Sequence, residues 1–406
     1  MSRFKSFIVY FQFVFFLASW PAWSNELNDN IKEYQEALIR SGVTGSSIAG
    51  VFSGSDTLAL SAVSSGLPGD REVTEDTIFP IWSMSKPITV VAMMILLDKG
   101  AYKLDDPVKN HIPHFEEIMC KSQEQYGDPY LCGKDLLVEH LLTHRSGVGY
   151  NQLLGDFHSA EFRDPFSNLD EFVKHVASHP LEFEPGTQYL YGLNQAILGR
   201  LVEVLSGQEF YQFLKKEIFD RLGMKDTKFF LTDGDRERFQ PLFRKAQDVL
   251  GIPGMRPDEG KSAISKSHDE LKYTPGTKAQ YGGEGLVSTF SDYRKFCEMM
   301  LARGGSGSAT IISEESFELM TSVVTPHQLS GGYDNGFGYS FSLFSLQEPL
   351  LDGTGAPKGI FGWSGYHNTH FWIDPKNEVY GLFMTRTTPF TFEIQKQFRA
   401  TVYNVL

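Results

Sequence analysis

Cysteine is nearly absent from this chain, with three in 406 residues. That excludes a disulfide-built scaffold and any cysteine-rich zinc module. No run of Lys or Arg occurs, and the formal net charge is −13. Nucleic acid and an anionic membrane surface are therefore not expected as partners. Beyond residue 24, no apolar stretch is long enough to span a bilayer. Internal repeats and long polar tracts are also missing. With 41% hydrophobic and 21% charged residues, the composition is that of a globular protein with a large core.

Several catalytic signatures are missing as well. G-x-S-x-G occurs nowhere, which argues against the usual nucleophile elbow. The nearest phosphate loop, Gly254 to Gly260-Lys261-Ser262, has five intervening residues where four are needed, and no strand precedes it. His140 and His144 lie four apart, as do His175 and His179. Leu141 and Val176 stand where a zinc hydrolase needs a Glu, and no third ligand is evident. No metal or other cofactor is expected.

The N-terminus differs from the rest. Arg3 and Lys5 precede an uncharged, Phe-rich stretch that closes with Ala22-Trp23-Ser24. Residues 1–24 read as a secretory signal with a small-x-small cleavage site, which implies export to a periplasm or the exterior. The alternative is an uncleaved membrane anchor, because the stretch approaches spanning length. No Cys follows it, which argues against a lipid anchor there. Cys120 and Cys132 flank a polar loop containing Gly127-Asp128-Pro129. Export would permit a disulfide there, and two free thiols is the other reading. Cys297 lies in an apolar-patterned stretch and reads as a buried small hydrophobe.

Strand patterns sit near both ends and helical patterns fill the middle. Residues 46–53 and 57–64 read as strands, as do 336–344, 359–363, 366–373 and 378–385. Helical spacing predicts helices over 25–41, 83–99, 135–143, 168–178, 194–205, 210–222 and 392–405. Residues 232–275 read as loop or insertion, long enough to act as a lid. The architecture expected is α+β: one antiparallel sheet flanked by helices, built from residues 25–75 and 277–406, with a mostly helical domain, 76–276, inserted.

Against that background, Ser83-Met84-Ser85-Lys86 stands out. A hydroxyl and an amine three residues apart lie on one face of a helix. A serine is a weak nucleophile until a neighbour helps remove its proton. The spacing alone is weak evidence, expected roughly once or twice by chance in a chain of this length. It recurs, without meaning, at Ser2-Arg3-Phe4-Lys5. Pro87 requires the helix to begin near Ser83, which puts Ser83 at a helix N-terminus. Tyr191 follows a Pro185-Gly186 turn and precedes a helix. A tyrosine hydroxyl, with a pKa of about 10, becomes a usable base only beside a cation such as a lysine. A core or rim tyrosine is the other reading. Gly362 and Gly365, around Trp363-Ser364, suggest either a strand edge approached by a substrate or an ordinary bend.

Taken together, these segments resemble the serine β-lactamase/D-alanyl-D-alanine carboxypeptidase-like superfamily. Within it, the chain is most similar to the family VIII carboxylesterases and their β-lactamase-related relatives. The markers are residues 79–89, Leu104-Asp105-Asp106-Pro107-Val108, Leu141-Leu142-Thr143-His144-Arg145-Ser146-Gly147, residues 185–199, residues 282–289 and residues 362–375, in the family's order. The resemblance implies that Ser83 attacks an acyl carbonyl and becomes acylated. It implies that Lys86 and Tyr191 share the proton transfers, leaving open which is the base. Backbone N–H groups of Ser83 and Tyr366 would hold the oxyanion, and Trp363, Ser364, Gly365 and His367 would meet the substrate.

Two departures narrow the substrate, which the resemblance gives as a small-molecule ester or amide. Where the peptidases and class C β-lactamases carry Tyr-x-Asn, this chain has Tyr191-Gly192-Leu193, with Asn194 one position late and expected to face elsewhere. Where they carry Lys-Thr-Gly or His-Thr-Gly, it has Trp363-Ser364-Gly365. A basic residue there helps bind the carboxylate of β-lactams and D-alanyl peptides. Trp363 instead offers an apolar wall. The expectation is a carboxylesterase for small or medium esters. A β-lactamase or D-amino-acid peptidase, with His367 or Arg386 supplying the positive charge, is the same-fold alternative. A transacylase and a catalytically silent binding protein are the others.

Overall fold

Seven strands drawn from the two ends of the chain form one antiparallel sheet. The computed structural model describes residues 24–124, 127–150, 166–245, 264–267, 273–326 and 336–406. Residues 1–23 of the signal segment, and Gly254 to Ser262, lie outside the described residues. The strands are β1 (Ser47–Ser53), β2 (Asp56–Val63), β3 (Phe337–Tyr339), β4 (Phe344–Leu346), β5 (Phe361–Ser364), β6 (His370–Asp374) and β7 (Val379–Thr385). Their order is β3-β4-β5-β6-β7-β1-β2. Every neighbouring pair is antiparallel. The pairing of β1 with β7, Ser47 opposite Thr385, joins the two ends of the chain.

The main helices are α1 (24–40), α2 (Ser85–Asp98), α3 (Val138–Leu142), α4 (Leu169–Ala177), α5 (Asn194–Ser206), α6 (Phe290–Leu301) and α7 (Phe392–Tyr403). Both faces of the sheet are covered. His370 and Trp372 of β6 meet Phe398 of α7, while Phe371 meets Tyr293 and Phe296 of α6. Tyr34 of α1 donates to the Ile394 carbonyl at 2.6 Å, which ties α1 to α7. Burial on two sides explains why β7 is buried along its whole length and lacks the polar alternation of a half-exposed strand.

Helix α2 is buried from Ser85 to Leu96 and packs against α5, which also contacts α3 and α4. A helix apolar all round is a core helix. The chain enters it beside a short antiparallel pair, Ile78–Pro80 with Val287–Thr289. Ile81 N–H then donates to the Leu286 carbonyl at 3.1 Å. Among the described residues, one large hydrophobic core runs through the sheet and the helical part, and a small second cluster gathers Ile78, Leu231, Phe239, Tyr273 and Val287.

Several boundaries differ from the sequence reading. The strand expected over 336–344 is a hairpin, β3 and β4, because residues 340–343 turn, with Ser342 at φ 53°. The strand expected from 366 starts at His370, because the chain turns first, with Asn368 at φ 65°. The α-helix expected to open at Ser83 opens at Ser85, after a 3-10 turn over Trp82–Met84; Pro87 still falls in its first turn. The helix over 210–222 contains a π turn, Lys215–Phe219. The region 232–275, read as loop, contains a short helix, Asp233–Arg238, and the strands Phe243–Lys245 and Ile264–Lys266. The rest of that stretch is largely outside the described residues. Cys120 and Cys132 are joined in a disulfide, and Cys297 is a buried thiol.

Candidate active site

The site begins with a strained residue. Trp82 has φ 47°, a conformation that disfavours a bulky side chain. It swings the chain from Ile81 into the 3-10 turn that presents Ser83. The tryptophan is anchored on both sides. Its indole N–H donates to His367 Nδ1 at 2.8 Å, and its ring packs edge-on against Tyr366 at 5.4 Å.

Two groups converge on the Ser83 hydroxyl. Tyr191 OH donates to Ser83 Oγ at 2.7 Å, and Lys86 Nζ lies 3.1 Å from the same oxygen. Lys86 is fully buried. Its nitrogen also reaches the Gly283 carbonyl at 2.8 Å and Tyr150 OH at 3.3 Å. These three partners match the donors of a lysine. They are a hydroxyl, a carbonyl and a phenol, and none is a carboxylate. Lys86 Nζ also sits 4.7 Å from the centre of the Tyr191 ring, within cation–π range.

Tyr191 is held by what lies around it. Gly192 presses on the Val148 carbonyl so closely that a Cβ would collide with it. Asn194, at the start of α5, turns away from Ser83 and bonds Ser146 Oγ and, at 2.8 Å, His144 Nδ1. His144 is buried, and its ring lies 4.9 Å from that of Tyr191. Burial first, and the nearby Lys86 charge second, push the His144 pKa well below the usual histidine range, so the imidazole is neutral. Its carbonyl accepts from Leu190 N–H at 2.8 Å. The marker segment around His144 thus supports the tyrosine segment from below.

The end of β5 forms the opposite wall. Gly365 packs on the Ile81 carbonyl and Thr369 Oγ1 with no room for a Cβ. The missing side chain lets the backbone at 365–366 lie against the turn that carries Ser83. A cavity of about 390 Å³ opens there, lined by Ser83, Tyr150, Tyr189, Tyr191, Tyr339, Phe344, Trp363, Ser364, Gly365, Tyr366, Phe390 and Phe392. That volume suits a small-molecule ligand. None of these lining side chains is charged at neutral pH. Trp363 stacks on Phe344 at 6.0 Å and meets Tyr339 edge-on at 5.8 Å.

Ser83, Lys86, Tyr191, Trp363, Ser364, Gly365 and Tyr366 are therefore brought together. His367 and Arg386 are not. His367 is buried behind Trp82, where Nδ1 accepts the indole hydrogen bond. Arg386 is buried over the Phe239 ring, at 4.4 Å, and donates to the Gln240 carbonyl. Neither lines the cavity, so the expectation that His367 meets substrate, or that either residue supplies a positive charge there, is corrected.

Sequence reasoning missed Tyr150, His144, Gly283 and the aromatics Tyr189, Tyr339, Phe344, Phe390 and Phe392. His144 and Gly283 lie in segments that carried the resemblance, but nothing in their spacing pointed at Lys86 or Tyr191. Among the described residues, the one grouping of metal-type ligand atoms is Cys120, Cys132 and Glu184, and its two sulfurs are bonded to each other.

Known proteins resemble this chain in sequence and in fold. Esterase EstB of Burkholderia gladioli is 28% identical over 333 residues, covering 78% of this chain and 79% of that protein. Acyltransferase calJ of Penicillium decumbens is 27% identical over 365 residues, covering 80% and 79%. The solved structure of EstCE1, described as a hydrolase with promiscuous acyltransferase activity, superposes with a TM-score of 0.76 at 19% identity. That superposition covers 94% of this chain and 99% of EstCE1, and it establishes the shared fold. The family model described as Beta-lactamase matches residues 27–403. The chain belongs to the Beta-lactamase family, a fold family of serine hydrolases.

Proposed function

We propose that this protein is an exported serine carboxylesterase that works through an acyl-enzyme on Ser83. The observation that carries the reading is the Ser83 hydroxyl, held between Lys86 Nζ and Tyr191 OH, at the floor of an uncharged aromatic cavity. The Lys86–Tyr191 pair, which must begin one proton short of full protonation, takes the Ser83 proton as Oγ attacks the ester carbonyl. The negative charge that develops on the carbonyl oxygen is received by the N–H groups of Ser83 and Tyr366. One such donor contributes typically about 2.7–4 kcal/mol to the transition state. The alcohol leaves, and the same pair activates water to release the acid.

The cavity favours neutral esters over β-lactams. A substrate carboxylate needs a cation in the wall, and Trp363 occupies the position from which a Lys or His would supply one. An apolar acyl group instead gains about 25 cal/mol per Å² buried against the aromatic rings. The disulfide between Cys120 and Cys132 supports export, because such bonds persist in oxidising compartments.

Acyl transfer is the second reading. It is favoured by the likeness to acyltransferase calJ and by the apolar wall, which can hold an alcohol acceptor as readily as water. The test compares p-nitrophenyl butyrate with a chromogenic cephalosporin, in the wild type and in Ser83→Ala, with and without an added alcohol. Ester turnover that vanishes in Ser83→Ala is expected. Turnover that persists in that variant overturns the mechanism, and efficient cephalosporin turnover with negligible ester turnover promotes the β-lactamase reading. A new ester formed from the added alcohol, at the expense of free acid, identifies the transacylase.

A further inference from the structure

Of the cavity-lining phenols that the Ser83 mechanism does not use, Tyr150 is one that reaches Lys86. Tyr150 lines the cavity beside Ser83, and its hydroxyl oxygen lies 3.3 Å from Lys86 Nζ. Its ring meets that of Tyr191 edge-on at 5.6 Å. Lys86 thus touches the nucleophile at 3.1 Å and a second cavity-lining hydroxyl at 3.3 Å. Tyr191 already contacts Ser83 directly, so the two tyrosines occupy different places around one amine.

Resting on the acyl-enzyme reading, we propose that Tyr150 is the proton donor to the departing alcohol, resupplied by Lys86. Ser83 Oγ forms its bond to the acyl carbon, and its proton passes to the Lys86–Tyr191 pair. Lys86, now an ammonium, has three donors and no acceptor, so its contact with Tyr150 has the nitrogen donating to the phenol oxygen. The hydrogen of Tyr150 then points away from Lys86, on the side of Tyr191, with which Tyr150 shares a hydrogen bond at rest. As the carbonyl–alkoxide bond breaks, Tyr150 gives this hydrogen to the alkoxide and takes one from Lys86. The products are neutral alcohol, acylated Ser83 and an amine ready to activate water. No oxidant or other co-reactant is needed.

Burial first, with the nearby Tyr191 and Glu284 adding to it, holds the Tyr150 phenol well above its ordinary range. It therefore keeps its proton at neutral pH and is available as an acid. An alkoxide with a conjugate-acid pKa near 16 needs such a donor far more than p-nitrophenolate, which leaves at about pKa 7. General-acid assistance of this kind contributes typically about 10²–10⁴-fold.

The test is a leaving-group series on Tyr150→Phe, which keeps the ring and removes the hydroxyl. The parameter is kcat/KM, which reports acylation and is independent of the later hydrolysis of the common acyl-enzyme. Ethyl butyrate is expected to lose about 10²-fold or more, while p-nitrophenyl butyrate loses less than about tenfold. An equal loss on both esters overturns the proposal, since it would make Tyr150 a positioning residue for Lys86. Little or no loss on either also overturns it. Activity on the activated ester reports folding of the variant. Failure of the Ser83 reading is distinguishable, because ester turnover would then persist in Ser83→Ala whatever the leaving group.

Discussion

Tyr191 OH donates to Ser83 Oγ at 2.7 Å across 108 residues of chain. The bond joins the 3-10 turn before α2 to the loop before α5, and those two helices pack against each other. Removing only the hydroxyl, as Tyr191→Phe, is expected to lower kcat/KM for p-nitrophenyl butyrate by about 10²–10⁴-fold. The melting temperature should change little, because the ring contacts with His144 and Trp363 remain. Steady-state kinetics beside a thermal melt check this. Retained activity would remove Tyr191 from the proton transfers.

Gly365 sets how closely β5 approaches the turn that carries Ser83. In Gly365→Ala the added methyl meets the Ile81 carbonyl and Thr369 Oγ1. Overpacking of this kind costs typically about 1–3 kcal/mol. The expected result is a lower melting temperature together with at least a tenfold loss of kcat, because the 365–366 backbone moves off the Ser83 turn. A melt without a kinetic defect would show that the oxyanion position does not depend on this contact.

Trp363 forms a wall of the cavity. Trp363→Ala should reduce discrimination between acyl chains. We expect kcat/KM for p-nitrophenyl butyrate to fall by about tenfold more than that for the acetate, in line with about 1–3 kcal/mol per methylene in an apolar pocket. Equal losses on both esters would place the acyl chain elsewhere.

The disulfide closes a short loop, with a sequence separation of 12. Loop-closure entropy predicts that Cys120→Ala/Cys132→Ala loses about 3 kcal/mol of stability. Titration of the unfolded wild-type protein should find one thiol, Cys297, and denaturant melts of the double variant should shift to lower midpoint. Three reactive thiols in protein recovered from the cell envelope would contradict the disulfide.

Three buried imidazoles give stability a defined pH dependence. Burial, with Arg145 and Lys134, lowers the His140 pKa to about 4. Burial, with Arg399, lowers that of His370 to about 3. Burial and Lys86 push His144 well below its ordinary value. Below pH 6.5 the unfolded chain takes up these protons and the folded chain does not, so unfolding is favoured. The melting temperature should therefore fall as pH drops from about 6.5 toward 4, and keep falling toward 3. A flat profile over that window would mean that these histidines are protonated in the fold.

Local signals in the sequence located part of the candidate site. Ser83 and Lys86 are three apart on one helical stretch, so their proximity follows from helix geometry alone. Pro87 located the helix start to within two residues. The hydrophobic period marked α4, α5 and α7 to within a few residues, because those helices bury one coherent face. The turn at Ser342, the late start of β6 and the short strands within 232–275 were not legible. Their boundaries depend on sheet partners, such as Phe344 opposite Gly362 and Phe243 opposite Thr387, that lie far away in the chain.

Residue order alone puts a serine and a lysine on one face at the start of a core helix and places the family pattern around them. Which other groups reach that pair follows from how distant segments pack. Tyr191 arrives because α5 packs on α2. Gly365 arrives because β5 lies in a sheet closed by β1 against β7. Tyr150 reaches Lys86 from a separate segment 64 residues away. His367 and Arg386 are turned away because Trp82 and Phe239 occupy them from the other side. The difference is one of range. Helical periodicity fixes neighbours three or four residues apart, whereas contacts across hundreds of residues follow from how buried faces pack, which one-dimensional spacing does not encode.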